Sequence, residues 1–161
     1  MTSQLPTTCW VVHDGAAGNR RQAMALAEVL GFPIREWALK AGGVAKLLAP
    51  RRFPGPAAAF GSEFANGLRR ERLALVIGGG RVAALATRQA RASGARAVQI
   101  LDPRISPSHW DLVIAPEHDG LSGSNVLTMV GSLNPVDAAW LDRARQQFPQ
   151  LGTLARPRTA V

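Results

Sequence analysis

Leu73-Ala-Leu-Val-Ile77 followed by Gly78-Gly-Gly-Arg81 is the stretch that decides the fold. A short apolar run cut off by glycine reads as a buried strand. The segment Val82–Ala92 continues with helical character and stops at Gly94, so the unit is strand, glycine turn, helix. Two more segments downstream repeat the pattern of an apolar run with a polar tip. Val98-Gln-Ile-Leu101 runs into Asp102-Pro-Arg104, and Leu112-Val-Ile-Ala115 runs into Pro116-Glu-His-Asp119. Upstream, Cys9-Trp-Val-Val12 ends in His13-Asp14-Gly15.

Between these landmarks the chain alternates. Asn19 followed by Gln22 has the form of a capping box, and Ala23, Leu26, Ala27 and Leu30 form one apolar helical face. Gly31 and Pro33 stop that helix, and Ile34–Leu39 reads as a strand. Short helices are expected at Val44–Leu48 and Phe60–Leu68, separated by irregular chain around Pro50, Pro54, Gly55 and Pro56. Asn125–Val130 reads as a further strand. Asn134-Pro135 then offers an N-cap and N1 proline for a last helix carrying Val136, Ala139, Trp140, Ala144 and Phe148 on its apolar face. Strands alternating with helices predict an α/β fold: a Rossmann-like, open, mainly parallel sheet with helices on both faces. Residues 1–150 are expected to form this domain, with 151–161 a linker entering another one.

In such a sheet ligands bind outside the carboxyl ends of the strands, so the polar tips are the place to seek a site. Asp14, Gly15, Gly18 and Asn19 form one glycine-bearing strand-to-helix loop, with Gln22 beyond it. Gly78, Gly79 and Gly80 form another, with Arg81 as a charged donor. Loops of this kind suit a phosphate or a polar headgroup. Each taken alone reads equally well as an ordinary tight turn. Neither has the spacing of a dinucleotide fingerprint or a P-loop, which disfavours nicotinamide chemistry and NTP hydrolysis. Asp102 and Arg104 tip the next strand. Glu117, His118 and Asp119 tip the one after, where a histidine between carboxylates suits general acid–base work. Adjacent residues diverge on most backbones, so no metal site is expected.

The composition narrows the remaining classes. The 161 residues are 47% apolar, globular in character. A single cysteine, Cys9, allows no internal disulfide and no cysteine-based zinc site, and it reads as a buried thiol. No apolar run is long enough to span a bilayer, and the N-terminus lacks the regions of a signal peptide. A cytoplasmic protein is expected. The net charge of +8 falls as +5 on residues 1–72 and +3 on 73–161, which favours anionic partners. Lys46-Leu-Leu-Ala-Pro-Arg-Arg-Phe53 mixes cationic and bulky apolar groups, one way to touch an anionic membrane surface. Nucleic acid is not expected, because aromatics are few, tyrosine is absent and no binding motif is present.

Five stretches together resemble the mitochondrial fission Elm family. They are Asp14-Gly-x-x-Gly-Asn-x-x-Gln22, Ile77-Gly-Gly-Gly-Arg81, Gln99-x-Leu-Asp-Pro-Arg104, Asp111-Leu-Val-Ile-x-Pro-Glu-His-Asp119 and Asn125-Val-Leu-x-x-x-Gly-Ser-Leu-Asn134. They cover most of residues 9–140, in order. The resemblance implies the N-terminal, acceptor-side half of a GT-B-like glycosyltransferase, acting on a phosphorylated or lipid-linked acceptor at the inner membrane face. It adds Asn125 and Asn134 to the ligand-binding residues and gives Glu117, His118 and Asp119 the proton-transfer role. Relatives carry His where this chain has Asn19, so no base is expected there. No resident cofactor is implied; a nucleotide sugar would be a co-substrate held by a second domain. Two other readings stay open: a non-catalytic adaptor on a membrane surface, related to mitochondrial fission factors, and a nucleotide-sugar epimerase or dehydrogenase.

Overall fold

The computed structural model describes residues 8–51 and 59–157. Six strands, β1 (Thr8–His13), β2 (Ile34–Ala38), β3 (Leu73–Gly79), β4 (Arg96–Ile100), β5 (Leu112–Pro116) and β6 (Val126–Met129), form one sheet in the order β2-β1-β3-β4-β5-β6. Every neighbouring pair is parallel. The helices are α1 (Ala17–Leu30), α2 (Gly43–Leu48), α3 (Ser62–Arg70), α4 (Arg81–Ala92) and α5 (Ala138–Gln147). This is the α/β open sheet expected from the sequence. Arg52, Phe53, Pro54, Gly55 and Pro56, and the end of the tail from residue 158, lie outside the described residues.

Strand periodicity splits the core in two, because successive side chains leave a strand on opposite faces. Trp10, Val12, Val76, Ala97 and Val113 point to one face, where they meet Phe64 of α3 and the alanines of α4. Cys9, Val11, Ile77, Val98, Ile100 and Ile114 point to the other, against Ala23 and Ala27 of α1. Buried on both faces, the central strands β1, β3 and β5 read as near-continuous apolar runs, as parallel strands do. α4 presents small residues, Ala83, Ala84, Ala86 and Ala90, so its backbone approaches the sheet closely.

Three polar side chains lace the amino edge of the sheet. Glu71, before β3, accepts from Trp10 Nε1 at 2.9 Å and pairs with Arg35. Asp111, before β5, accepts from Ala97 N at 2.8 Å, Arg96 Nη1 at 3.0 Å and Arg91 Nε at 3.1 Å. Burial raises the Asp111 pKa, but these donors outweigh it and the carboxyl ends below its ordinary range. Asn125, before β6, donates to Pro107 O and Trp110 O, both at 2.9 Å.

Two helix starts differ from the sequence expectation. α1 begins at Ala17, with Ala16 in the N-cap position and no side-chain cap. Asn19 is therefore inside the first turn and Gln22 in the second, so no capping box forms. Asp14 instead accepts the Ala16 N–H at 3.0 Å from outside the helix. α5 begins at Ala138, capped by Asp137 Oδ1 accepting from Trp140 N at 2.6 Å. Asn134 makes a separate turn, accepting from Val136 N at 3.1 Å.

Candidate functional site

With all strands parallel, the tips of β1, β3, β4, β5 and β6 share the carboxyl edge. Strand order reverses at β1 and β3, the switch point where open α/β sheets form their ligand crevice. At a spacing of about 4.8 Å per strand, the β1 and β5 tips lie roughly 14 Å apart along this rim. Asp14, Gly15, Gly18, Asn19, Gly80, Arg81, Asp102, Arg104, Glu117–Asp119 and Asn134 all follow strand ends there, and Gly78 and Gly79 close β3 itself. Asn125 does not. It precedes β6 on the opposite edge, and both its amide hydrogens are spent on Pro107 and Trp110. The sequence placed it beside a strand without showing which end.

The β1 and β3 loops touch. A Cβ built on Gly80 would lie 2.6 Å from Asn19 Nδ2 and 3.3 Å from Asp14 Oδ2. Gly80 has φ +86° and ψ 172°, a region open essentially to glycine alone. Gly79 lies under Asn19, and Gly78 is wedged between Val12 and Thr87. Gly78 thus serves packing and Gly80 serves the turn, while a Cβ on Gly79 would make only ordinary contact with Asn19. Gln99, buried in β4, steadies this loop by donating to Gly80 O at 3.4 Å and Ile100 O at 2.9 Å.

Arg81, expected to contact an anion, has its guanidinium engaged with backbone carbonyls. Its Nε donates to Ala49 O at 3.1 Å, and its Nη2 lies 3.2 Å from both Lys46 O and Leu47 O. It caps the carboxyl end of α2, a duty between residues more than thirty apart in sequence. In doing so it brings α2 to the rim.

That placement creates a crevice that local motifs could not reveal. A cavity of about 340 Å³ is lined by Asp14, Leu39, Lys40, Ala41, Lys46 and Val82. Lys40 follows β2, Lys46 belongs to α2, and Val82 lies in the first turn of α4. Neither lysine has an ion-pair partner among the described residues. The amino end of α4, which has no side-chain cap, adds partial positive charge. Asp14 is tied down by Ala16 N and by Asn19 Nδ2 at 3.3 Å. Two lysine cations, one carboxylate and a helix amino end therefore face the crevice.

A buried histidine stands next to Asp14 in the chain. His13 Nδ1 accepts the Gly15 N–H at 3.1 Å, which leaves Nε2 carrying the proton toward Glu36 Oε1 at 2.8 Å. Arg20 clamps the same carboxylate through Nε at 2.5 Å and Nη2 at 2.8 Å. The Arg20 hydrogen bond is the largest of several causes that bring the Glu36 carboxyl down to about 2. In the sequence His13 reads only as part of the polar tip after β1, and Glu36 and Lys40 carry no signal of their own. Only β1–β2 pairing, which sets Val11 opposite Glu36 and His13 opposite Ala38, brings them together.

Farther along the rim, Asp102 Oδ1 accepts from Arg104 N at 2.7 Å. Leu101 and Arg104 adopt φ of +70° and +61°, so this turn is held in a conformation rare for residues with side chains. Glu117, His118 and Asp119 form one 3₁₀ turn. His118 is 79% exposed, with Nε2 3.7 Å from Asp119 Oδ1. Among the described residues no group of three or more His, Cys, Asp or Glu is placed to hold a metal ion. No helix among them is long and apolar enough to cross a membrane.

A family model described as mitochondrial fission ELM1 matches residues 17–161. No curated protein and no solved structure matches the chain significantly.

Proposed function

Because the chain belongs to the mitochondrial fission ELM1 family, we propose that its rim is the acceptor side of a GT-B-like glycosyltransferase. The acceptor is a phosphorylated or lipid-linked molecule presented at a membrane surface. One observation carries the reading: Lys40, Lys46 and the amino end of α4 converge on a cavity at the switch point. A phosphate seated there would receive two charge-assisted contacts and the helix-end field. Leu47, next to Lys46, is 78% exposed, so an apolar tip stands beside the cationic crevice. That pairing suits a headgroup taken from an anionic bilayer.

Glu117, His118 and Asp119 stand two strand spacings from the β3 tip, about 10 Å along the rim. In this reading His118 accepts the proton of an acceptor hydroxyl as that oxygen bonds the sugar carbon. The bond from that carbon to the nucleotide diphosphate breaks, and the diphosphate leaves with the electron pair. Asp119 stabilises the imidazolium. The nucleotide sugar is carried by a second domain.

The test is sedimentation with phosphatidylcholine vesicles doped with a polyprenyl phosphate, compared with vesicles of equal charge made with phosphatidylglycerol. The doped vesicles should bind more tightly. Lys40→Gln with Lys46→Gln should weaken that binding by tenfold or more, since a hydrogen bond to a charged group contributes about 1.5–3 kcal/mol. Binding set by vesicle charge alone and untouched by these substitutions would overturn the proposal and favour a surface adaptor.

A further inference from the structure

The amino edge of the sheet holds a second basic cavity, away from the rim. It measures about 290 Å³ and is lined by Arg88, Arg91, Ala92 and His109. Arg88 and Arg91 lie on the last turns of α4, and His109 ends the 3₁₀ turn Pro107–His109 before β5. With β5 five residues long, this cavity lies roughly 16 Å from the rim.

Each group is anchored from behind. Arg88 Nη1 donates to Pro50 O at 2.6 Å, and its guanidinium carbon lies 5.9 Å from the Trp110 ring centroid. Arg91 Nε donates to Asp111 and its Nη1 to Ser108 O at 3.2 Å, so Nη2 has no protein acceptor among the described residues. The His109 ring stands edge-on to Trp110, with centroids 6.0 Å apart. Among the described residues no carboxylate lines the cavity. Asp111 is committed to Ala97 N and Arg96 as well as to Arg91. Two guanidinium charges outweigh the partial negative charge, about half a unit, at the end of α4.

We propose that Arg88, Arg91 and His109 form a binding site for a tetrahedral oxyanion of the phosphate type, independent of the rim. Guanidinium groups recognise such oxygens through paired N–H donors, and the histidine supplies a third donor when protonated. At present the environment works against that proton. Burial lowers the His109 pKa first, and Arg88 and Arg91 lower it further. A bound anion would reverse the electrostatic part of that effect.

The measurement is an NMR pH titration of the His109 ring in the full chain, its signal assigned with His109→Asn. Inorganic sulfate is the soluble probe, because its charge is constant across the titration range. Sodium chloride at equal ionic strength is the control. A second arm uses phosphatidic acid vesicles in sulfate-free buffer. Saturable sulfate binding should raise the His109 midpoint by about one pH unit, the effect of a close opposite charge. Chloride should move it much less, and Arg91→Gln should shrink the sulfate response. A response to vesicles but not to sulfate would assign the same chemistry to a lipid headgroup. Equal shifts in sulfate and chloride, or no shift in either arm, would overturn the site. Because the comparison is made on the unsubstituted protein, it does not depend on a variant folding.

Discussion

Replacing Gly78 by alanine should destabilise the protein, although the backbone there is ordinary strand. An added Cβ would lie 2.7 Å from Thr87 Cγ2, 2.8 Å from Val12 Cγ2 and 3.1 Å from Ala83 Cβ. All three neighbours are fully buried, so none can swing into solvent. Overpacking of this kind costs about 1–3 kcal/mol. Against it stands the gain from a less flexible unfolded chain, about 0.5–1 kcal/mol for Gly→Ala. The expected net loss is about 1–2 kcal/mol, a fall of roughly 2–8 °C in Tm for a chain of this size. Thr87→Ser removes the nearest clashing carbon and keeps Oγ1, which accepts from Trp110 Nε1 at 2.7 Å. Alone it should cost about 1 kcal/mol for a buried methyl group. Together the two substitutions should cost less than their sum, by about 0.5–1 kcal/mol, as expected of residues in contact. Urea unfolding of the four proteins gives the cycle. Strict additivity, or a Gly78→Ala protein as stable as the parent, would refute the claim that Gly78 is wedged between Val12 and Thr87.

Two further outcomes follow from the titrating groups. Glu36 drops from an ordinary value near 4.5 to about 2, so its contribution to stability is present above pH ~4.5 and is lost as pH falls toward 2. Its side chain is 34% exposed, so solvent screening reduces the effect to about 1 kcal/mol. Glu36→Gln should flatten the acid limb of a plot of urea midpoint against pH, and an unchanged limb would contradict the clamp. Burial raises the Cys9 thiol to about 11, and no part of the residue is exposed. Ellman's reagent at pH 8 should therefore label Cys9 only after unfolding in guanidinium; rapid labelling of the native protein would show the strand to be open.

The sheet was legible because its strands are buried on both faces and end abruptly in polar residues. Leu73–Ile77 and Leu112–Ala115 could be read as strands from composition and length alone. Helix starts were less legible, because side chains that look like caps were engaged elsewhere. Asn19 and Gln22 have capping-box spacing, yet Asp14 reaches the first turn from the β1 tip and displaces them. Asn134-Pro135 makes its own turn, and the cap falls to Asp137. The crevice was legible only in part. Asp14 could be assigned to the rim because it follows β1. Lys40, in a loop after β2, gains meaning only when Arg81 draws α2 and Lys46 against it. Arg81 itself looked like an anion ligand because it follows three glycines, while its true acceptors lie in another helix.

The carboxylates and the amide along the amino edge have a consequence for how such a protein can change. Glu71, Asp111 and Asn125 fasten the strand beginnings to one another and to the neighbouring turns. Each of these groups therefore ties more than one segment together at the border opposite the polar strand tips. A substitution at any of the three would loosen two segments of the chain at once.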